Sequence, residues 1–186
     1  MNWELSVLHW FESIHNPVLD VIMKCITVLG NSGIFWILLA VVLMFFKKYR
    51  KTAVSMAFAL VLSLIFTNLI IKNLVARERP FAVDPSLLQS LLIKKPTDWS
   101  FPSGHSSASF AAAVAVFCND KRPGIPLVIL AALIAVSRLY LTVHFPTDVI
   151  AGTVLGIIYG IGGYIIATKI YMTISSKKES SAQSDS

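Results

Sequence analysis

Charge is scarce in this sequence. Only 14% of its 186 residues are Asp, Glu, Lys or Arg, and 55% are hydrophobic. Soluble domains usually carry charge on about 25% of their residues. The shortage of charge therefore excludes an ordinary soluble domain and indicates a chain that crosses a membrane several times.

Cysteine and histidine are also rare. The two cysteines, Cys25 and Cys118, both fall within apolar segments, which favours free thiols over a disulfide framework. The four histidines are scattered along the chain, so the sequence lacks the ligand cluster of a zinc site, and we predict neither a metal nor a cofactor. The net charge of +6 comes from cations at the ends of apolar segments. It indicates membrane lipids and phosphate as partners, and not nucleic acid.

The apolar segments predict an all-α fold, a transmembrane helical bundle. Their polar boundaries indicate six membrane spans, at residues 17–29, 34–46, 52–76, 103–117, 125–141 and 147–174. Before them, residues 2–14 mix tryptophans with polar residues, which is typical of an interfacial amphipathic helix. We predict one membrane domain over residues 1–174 and a disordered polar tail over residues 175–186.

Two of the predicted spans contain unusual residues. Gly152, Gly156 and Gly160 recur at every fourth position of the last span and predict a smooth face for close helix packing. The first span carries Asp20 and Lys24, an i,i+4 pair of opposite charge that can neutralise itself. A proton or ion relay at this pair is the alternative interpretation.

The basic loops predict how the chain is oriented. Six spans place both termini on one side, together with the loops 47–51 and 121–122 and with Lys177. The positive-inside rule makes that side cytoplasmic. We therefore expect a multi-pass protein of the cell membrane with cytoplasmic termini, and with the polar stretches described next at its extracytoplasmic face.

The polar stretch 137–148 lies between the last two spans. It contains Arg138, His144 and Asp148, and ionisable groups near hydrocarbon usually mark a functional site. Pro146 predicts a helix start that leaves His144 just outside the helix and Asp148 in its first turn. A carboxylate there can fix the tautomer of the imidazole. The alternative is that Arg138 and His144 merely snorkel to the membrane surface.

The polar stretch 99–105 opens the fourth predicted span. Ser103, Gly104 and His105 stand at a helix start, where unpaired backbone N–H groups and the helix dipole favour an anion. The alternative is structural, with Ser103 as the N-cap and His105 as an interface residue.

The polar stretch 72–80 closes the third predicted span. Lys72 and Arg79 are seven residues apart and are predicted to share one face of a helix. Two cations on one face repel unless an anion bridges them, and both side chains suit phosphate oxygens. We interpret Arg77 as a residue that snorkels to the interface.

The three stretches together offer cations, two histidines and a carboxylate. Phosphoryl transfer needs charge stabilisation, a nucleophile and an acid for the leaving oxygen. The stretches resemble the signature of the type 2 phosphatidic acid phosphatase family: Lys-x6-Arg-Pro at 72–80, Pro-Ser-Gly-His at 102–105 and Ser-Arg-x5-His-x3-Asp at 137–148. The resemblance covers residues from about 52 to 170.

The resemblance implies a role for each signature residue. His144 would attack phosphorus, Asp148 would orient His144, and His105 would protonate the leaving oxygen. The phosphate oxygens would be held by Lys72, Arg79, Ser103, Gly104 and Arg138. No carboxylate cluster for Mg²⁺ accompanies these residues, so we expect the cations to do the work of a metal.

The resemblance leaves the substrate open. It implies an integral-membrane phosphatase for a lipid phosphate or diphosphate, and a chain this compact is similar to the undecaprenyl diphosphate phosphatases of the family. Phosphatidylglycerophosphate and phosphatidic acid are alternative substrates. A vanadate-dependent haloperoxidase shares these residues but is soluble, and a lipid transporter or headgroup-binding protein would not need two histidines with an aspartate.

Overall fold

Every regular element in the described part of the chain is helical. The structure is a computed structural model that describes residues 3–184. The longer helices are α1 (Trp3–Ser13), α2 (Pro17–Val28), α3 (Ile34–Phe45), α4 (Arg50–Leu62), α7 (Gly104–Asn119), α8 (Lys121–Tyr140) and α9 (Pro146–Ser184), and the short ones are α5 (Lys72–Val75) and α6 (Pro80–Val83). A π-helical stretch, Ser63–Ile71, joins α4 to α5. The predicted all-α class is confirmed.

Helix α7 is the centre of the bundle. It consists largely of alanine and serine, and residues 109–116 are all buried. Its small side chains let α4, α8 and α9 pack around it. A Cβ atom built on Gly152 or Gly156 of α9 would lie 2.5 Å from a carbonyl oxygen of α7, and one on Gly160 would lie 2.8 Å away. The predicted smooth glycine face is therefore confirmed, and it packs on α7.

The number of membrane spans differs from the prediction. Three helical stretches are by themselves long and apolar enough to cross a membrane: Lys47–Val83, Lys121–Tyr140 and Pro146–Lys177. Helices α2 and α3 qualify only as a pair bent by 42°. The 12 residues of α2 rise about 18 Å, against about 30 Å of hydrocarbon. The six separate spans are therefore not confirmed: three stretches qualify alone, and a fourth only if α2 and α3 count as one span.

Helix α1 lies at the end of the bundle where α8 finishes and α9 begins, which we name the upper end. Glu4 accepts a hydrogen bond from the hydroxyl of Thr147 at 2.6 Å, and His15 donates to the carbonyl of Tyr140 at 2.8 Å. Leu8 is fully buried, whereas Trp3 is 57% exposed. Helix α1 thus packs on the bundle through Leu8 and leaves Trp3 exposed, and its place at a membrane interface stays a prediction.

The opposite end of the bundle, the lower end, holds the basic loops. The ammonium of Lys51 lies 4.8 Å from the ring centroid of Tyr164, and Asn119 donates to the hydroxyl of Ser55 at 3.0 Å. Helix α9 therefore descends past the start of α4. Helix α1 and the described end of α9 therefore lie at opposite ends of the bundle, whereas the prediction placed both termini on one side.

Helix α9 continues beyond the predicted end of the last span. It is helical through Ser184, and thus includes residues 175–184 of the tail for which composition predicts disorder. Extending an existing helix adds one hydrogen bond for each residue fixed, and the tail contains Lys, Glu, Ala and Gln, which favour helix. Residues 185 and 186 of the predicted tail lie outside the described part.

Candidate active site

Lys72 and Arg79 approach each other from two different elements. Lys72 opens α5, directly after the π-helical stretch. The helix ends at Val75, and Ala76 has a left-handed backbone with φ 46°. Arg79 is extended, with φ −81° and ψ 157°, as expected for a residue before proline. The prediction that both cations share one helix face is therefore wrong, although both side chains reach the same place.

Asp98 joins these two cations. Its carboxylate accepts a hydrogen bond from Lys72 and another from Nη2 of Arg79 at 2.7 Å. Its backbone carbonyl accepts from Nε of Arg79 at 2.8 Å. Burial alone would raise the pKa of Asp98, but the hydrogen bond from Lys72 and the charge of Arg79 lower the pKa well below its usual range. The sequence predicted that an anion bridges Lys72 and Arg79, and the carboxylate of Asp98 is that anion in this structure.

The second polar stretch forms the start of α7. Ser103 is the N-cap, and its hydroxyl accepts from the backbone N–H of Ser106 at 3.4 Å and from the hydroxyl of Ser106 at 3.0 Å. Gly104 follows, and a Cβ atom there would lie 2.6 Å from Oδ1 of Asn68. A larger residue here would therefore have to displace the Asn68 side chain. The Ser103 side chain is occupied in capping, as the structural alternative proposed.

His105 is held by a polar side chain that lies 74 residues before it in the sequence. Its Nε2 lies 2.8 Å from Oδ1 of Asn31, in the break between α2 and α3. A Cβ atom on Gly30 would lie 2.7 Å from Cδ2 of His105, so this close approach requires glycine. The Gly30–Asn31 turn therefore packs directly on His105.

Arg138 lies in the last turn of α8 and is only 3% exposed. Its Nη1 donates to the hydroxyl of Thr27 at 2.6 Å. Its Nε is buried and finds no hydrogen-bond partner within residues 3–184. A snorkelling arginine would reach water, so the snorkelling alternative for Arg138 is wrong. The guanidinium keeps a donor available for an anion.

His144 and Asp148 are adjacent and buried, with exposures of 1% and 0%. Helix α9 begins at Pro146, which places Asp148 in the first turn as predicted. Nδ1 of His144 lies 3.5 Å from Oδ2 of Asp148, a longer separation than a good hydrogen bond. That carboxylate oxygen also accepts from the Ser100 hydroxyl at 2.5 Å and from the Phe145 N–H at 2.9 Å.

The other nitrogen of His144 faces the cations. Its Nε2 lies 3.4 Å from Nη1 of Arg79, and that same nitrogen of Arg79 donates to the carbonyl of Val143 at 2.6 Å. Burial, reinforced by the positive charges of Arg79 and Arg138, lowers the pKa of His144 well below its usual value. The imidazole is therefore neutral near pH 7, the form that a nucleophile requires.

One cavity collects most of the predicted residues. Its volume is about 1280 Å³, and its polar upper part is lined by Lys72, Arg79, Gly104, His105, Arg138 and His144. Ser103 and Asp148 are fully buried and support this lining from behind. The structure therefore brings the three stretches together at one cavity, and both histidines reach it.

Arg77 has a different environment from the one predicted. Its Nη1 donates to Asp148 and its Nη2 to Glu4, at 2.7 and 2.6 Å. The snorkelling interpretation of Arg77 is wrong, because two carboxylates bind its guanidinium, which is only 26% exposed. Sequence analysis missed Asp98, Asn31 and these contacts of Arg77, since each joins residues far apart in the chain and no local pattern signals them.

Metal-binding side chains are dispersed. Nowhere in residues 3–184 do three His, Cys, Asp or Glu side chains come close enough together to hold a metal ion. Asp98 and Asp148 each contact cationic side chains.

Comparison with known proteins agrees with the signature. The model of the PAP2 superfamily matches residues 52–172. An undecaprenyl-diphosphatase of Sulfolobus acidocaldarius is 37% identical over 123 residues, which are 65% of this chain and 58% of that protein. The chain thus spans less than two thirds of that relative's length. Undecaprenyl-diphosphatase BcrC of Bacillus subtilis is 33% identical over 160 residues, covering 86% of this chain and 81% of BcrC.

A solved structure has the same architecture. The crystal structure of Aquifex aeolicus LpxE superposes with a TM-score of 0.74 at 28% identity, covering 88% of this chain and 95% of LpxE. The family match extends over more than half of the chain and includes all three polar stretches that meet at the cavity. The chain therefore belongs to the PAP2 superfamily and is a membrane lipid phosphatase.

Proposed function

We propose that this phosphatase hydrolyses a lipid phosphate or diphosphate, with undecaprenyl diphosphate as the leading candidate, through a phosphohistidine at His144. The observation that carries the proposal is the position of His144, whose Nε2 lies beside Arg79 while Asp148 lies behind its Nδ1. Two relatives with 37% and 33% identity are named undecaprenyl-diphosphatases, which supports this choice of substrate.

The first chemical step forms a bond between Nε2 of His144 and phosphorus. The bond between phosphorus and the leaving oxygen breaks, and that oxygen takes a proton from His105. His105 has to be protonated at this stage, a state that the negative charge of the bound phosphate favours. The attacking nitrogen must carry a lone pair, so the proton of the neutral imidazole resides on Nδ1, on the side of Asp148. The positive charge that develops on the ring is then offset by the carboxylate.

The second step releases phosphate. Water attacks phosphorus and gives a proton to His105, the bond from phosphorus to Nε2 breaks, and His144 returns to its neutral form. His105 thus acts as an acid first and as a base afterwards, and its proton balance is restored. Asn31 supports this role because it holds the imidazole at the cavity.

Three cations stabilise the charge on the phosphoryl oxygens. Lys72, Arg79 and Arg138 line the cavity, and the backbone N–H groups at the start of α7 add the positive end of a helix dipole. Arginine offers a planar fork of donors, and lysine a compact charge. We infer that this set does the electrostatic work for which other phosphatases use metal ions.

The cavity also offers room for a lipid tail. From the polar part it continues between α3 and α4 to the apolar residues Met44 and Phe45 at the lower end. A headgroup at the cations with a hydrocarbon chain below matches the substrate proposed. The basic loops at the lower end favour a cytoplasmic lower end and an extracytoplasmic site.

A lipid panel tests the proposal. Purified protein in detergent with EDTA is given undecaprenyl diphosphate, phosphatidylglycerophosphate and phosphatidic acid, and released phosphate is measured. We expect release without added metal and the highest kcat/KM for undecaprenyl diphosphate. A requirement for Mg²⁺ contradicts the metal-free mechanism, and a preference for another lipid corrects the substrate alone.

A binding measurement separates the enzyme from a lipid carrier. His144→Ala should lose phosphate release while it still binds the lipid, because the three cations remain. Normal turnover by both His144→Ala and His105→Ala would show that the catalytic assignment is wrong.

A further inference from the structure

Arg77 connects the aspartate of the site to the N-terminal helix. Its Nη1 lies 2.7 Å from Oδ1 of Asp148, and its Nη2 lies 2.6 Å from Oε2 of Glu4. The guanidinium also stacks on Phe145, 4.0 Å from the ring centroid. The two carboxylates are 0% and 8% exposed, so the charge of Arg77 offsets part of the cost of burying them.

The two oxygens of Asp148 have separate tasks. Oδ1 accepts from Arg77, and from no part of His144. Oδ2 faces Nδ1 of His144 and accepts from Ser100 and from the Phe145 N–H. Because Arg77 holds Oδ1, the carboxylate cannot rotate about its bond to Cβ without losing an ion pair. Arg77 thereby fixes the plane of the carboxylate, and with it the direction of the oxygen that faces His144.

Glu4 completes the arrangement from α1. One of its oxygens accepts from Arg77, and the other accepts from the Thr147 hydroxyl at 2.6 Å and from the Thr147 N–H at 3.3 Å. Thr147 also accepts from Nη1 of Arg77 at 2.7 Å. Helix α1 is thus fastened to the first turn of α9, the turn that carries Asp148.

We propose that Arg77 and Glu4 are positioning residues for His144, acting through Asp148, so that the N-terminal helix is part of the catalytic apparatus. This inference rests on the proposed function, in which His144 is the nucleophile. Arg77 is not among the residues that line the cavity, and it acts on the nucleophile without binding phosphate. Removing it should impair kcat and leave phosphate affinity unchanged.

A double-mutant cycle between Arg77→Gln and Asp148→Asn tests the inference. Arg77→Gln alone should lower kcat by at least about tenfold, whereas in the Asp148→Asn background it should cost less than about twofold, because interacting residues are not additive. Inhibition by inorganic phosphate should keep its wild-type constant in Arg77→Gln. Additive losses, or loss of phosphate inhibition together with kcat, would mean that Arg77 supports the fold only and would overturn the inference.

Two further variants complete the design. Glu4→Gln should lower kcat with phosphate inhibition intact, and its effect should disappear in Asp148→Asn; it carries the test alone if Arg77→Gln does not fold. Arg122→Gln, an exposed site at the lower end, is the matched control and should keep wild-type kcat. Full activity in His144→Ala overturns the proposed function and this inference with it. If His144→Ala is inactive but the losses in kcat from Arg77→Gln and Asp148→Asn are additive, this inference alone is overturned.

Discussion

Oδ1 of Asp98 lies 2.7 Å from Nη2 of Arg79. Its other oxygen contacts Lys72, so a carboxylate of the protein stands between two of the three cations proposed to bind phosphate. Nε of Arg79 also donates a hydrogen bond to the backbone carbonyl of Asp98. A substrate phosphate therefore has to take over donors that the Asp98 carboxylate holds in the ligand-free protein.

Replacing Asp98 removes this competitor. In Asp98→Asn we expect inorganic phosphate to inhibit at about tenfold lower concentration, a gain of about 1.4 kcal/mol in binding, because Lys72 and Arg79 then lack a charged partner. Dose–response curves for phosphate inhibition measure the effect. Asp84→Asn is the control, because Asp84 also lies between α6 and α7 but contacts His9 and Ser86. Phosphate should inhibit this variant as it inhibits the wild-type protein. Weaker inhibition in Asp98→Asn would mean that Asp98 orients the cations for phosphate instead of competing with it.

The buried environment of His144 predicts a pH profile. Burial and nearby cations lower its pKa, so the imidazole stays neutral where an exposed histidine, with a pKa of about 6.5, would be protonated. The acid limb of kcat/KM that belongs to His144 should therefore lie below pH 6.5. The unfolded chain binds this proton more readily, so the free energy of unfolding should decrease as pH falls through about 6.5.

His9 provides the control for that profile. Hydrogen bonds to Glu12 and Asp84 raise the pKa of His9, the direction opposite to that of His144. The pH dependence of kcat/KM measured for His9→Gln should match that of the wild-type protein. An acid limb at or above pH 6.5 that survives in His9→Gln contradicts the account of His144.

The close packing of α7 on α9 predicts a stability effect. Gly156→Ala places a Cβ atom 2.5 Å from the carbonyl oxygen of Ser107, and overpacking of this kind costs about 1–3 kcal/mol. Thermal unfolding in detergent should show a lower Tm. Gly162→Ala, in the same helix, meets only the side chain of Leu62 at 3.4 Å and should be neutral or gain up to about 1 kcal/mol from helix propensity. Equal Tm values for the two variants would disprove the packing argument.

The orientation in the membrane can be measured with single cysteines. In a chain with Cys25 and Cys118 replaced by serine, Gln89→Cys reports the upper end and Lys121→Cys the lower end. A membrane-impermeant maleimide added to intact cells should label Gln89→Cys only. Labelling of Lys121→Cys alone would place the site on the cytoplasmic side.

Local sequence patterns were sufficient for some of the residues that line the cavity, although they missed Asn31 and Asp98. A proline fixes the starts of α6 and α9, a serine caps α7, and charges within apolar sequence are costly enough to indicate function. These features identified Lys72, His105 and His144 without any tertiary information. Composition likewise predicted an all-α bundle, and the glycine spacing predicted a face of α9 that packs closely against a neighbouring helix.

One error was local, since α5 ends before Arg79 and so separates it from the helix face of Lys72. The errors about Arg77, the spans and the termini arose from tertiary contacts. Nothing near Arg77 in the sequence indicates that Glu4 and Asp148, 73 and 71 residues away, will hold it. Hydropathy counts apolar segments and cannot tell that α2 and α3 are bent by 42° against each other and are long enough to cross a membrane only as a pair. The termini were misplaced for the same reason, since the predicted sidedness depended on the count of spans.

The central claim is that His144 becomes phosphorylated during turnover. The most direct measurement mixes the enzyme with lipid carrying a radiolabelled phosphate, quenches in alkali within the first turnover, and maps the labelled peptide. We predict a label that is stable in alkali, labile in acid and located on His144, and absent from His144→Ala. Label at another residue, or phosphate release by His144→Ala at the wild-type rate, would contradict the account.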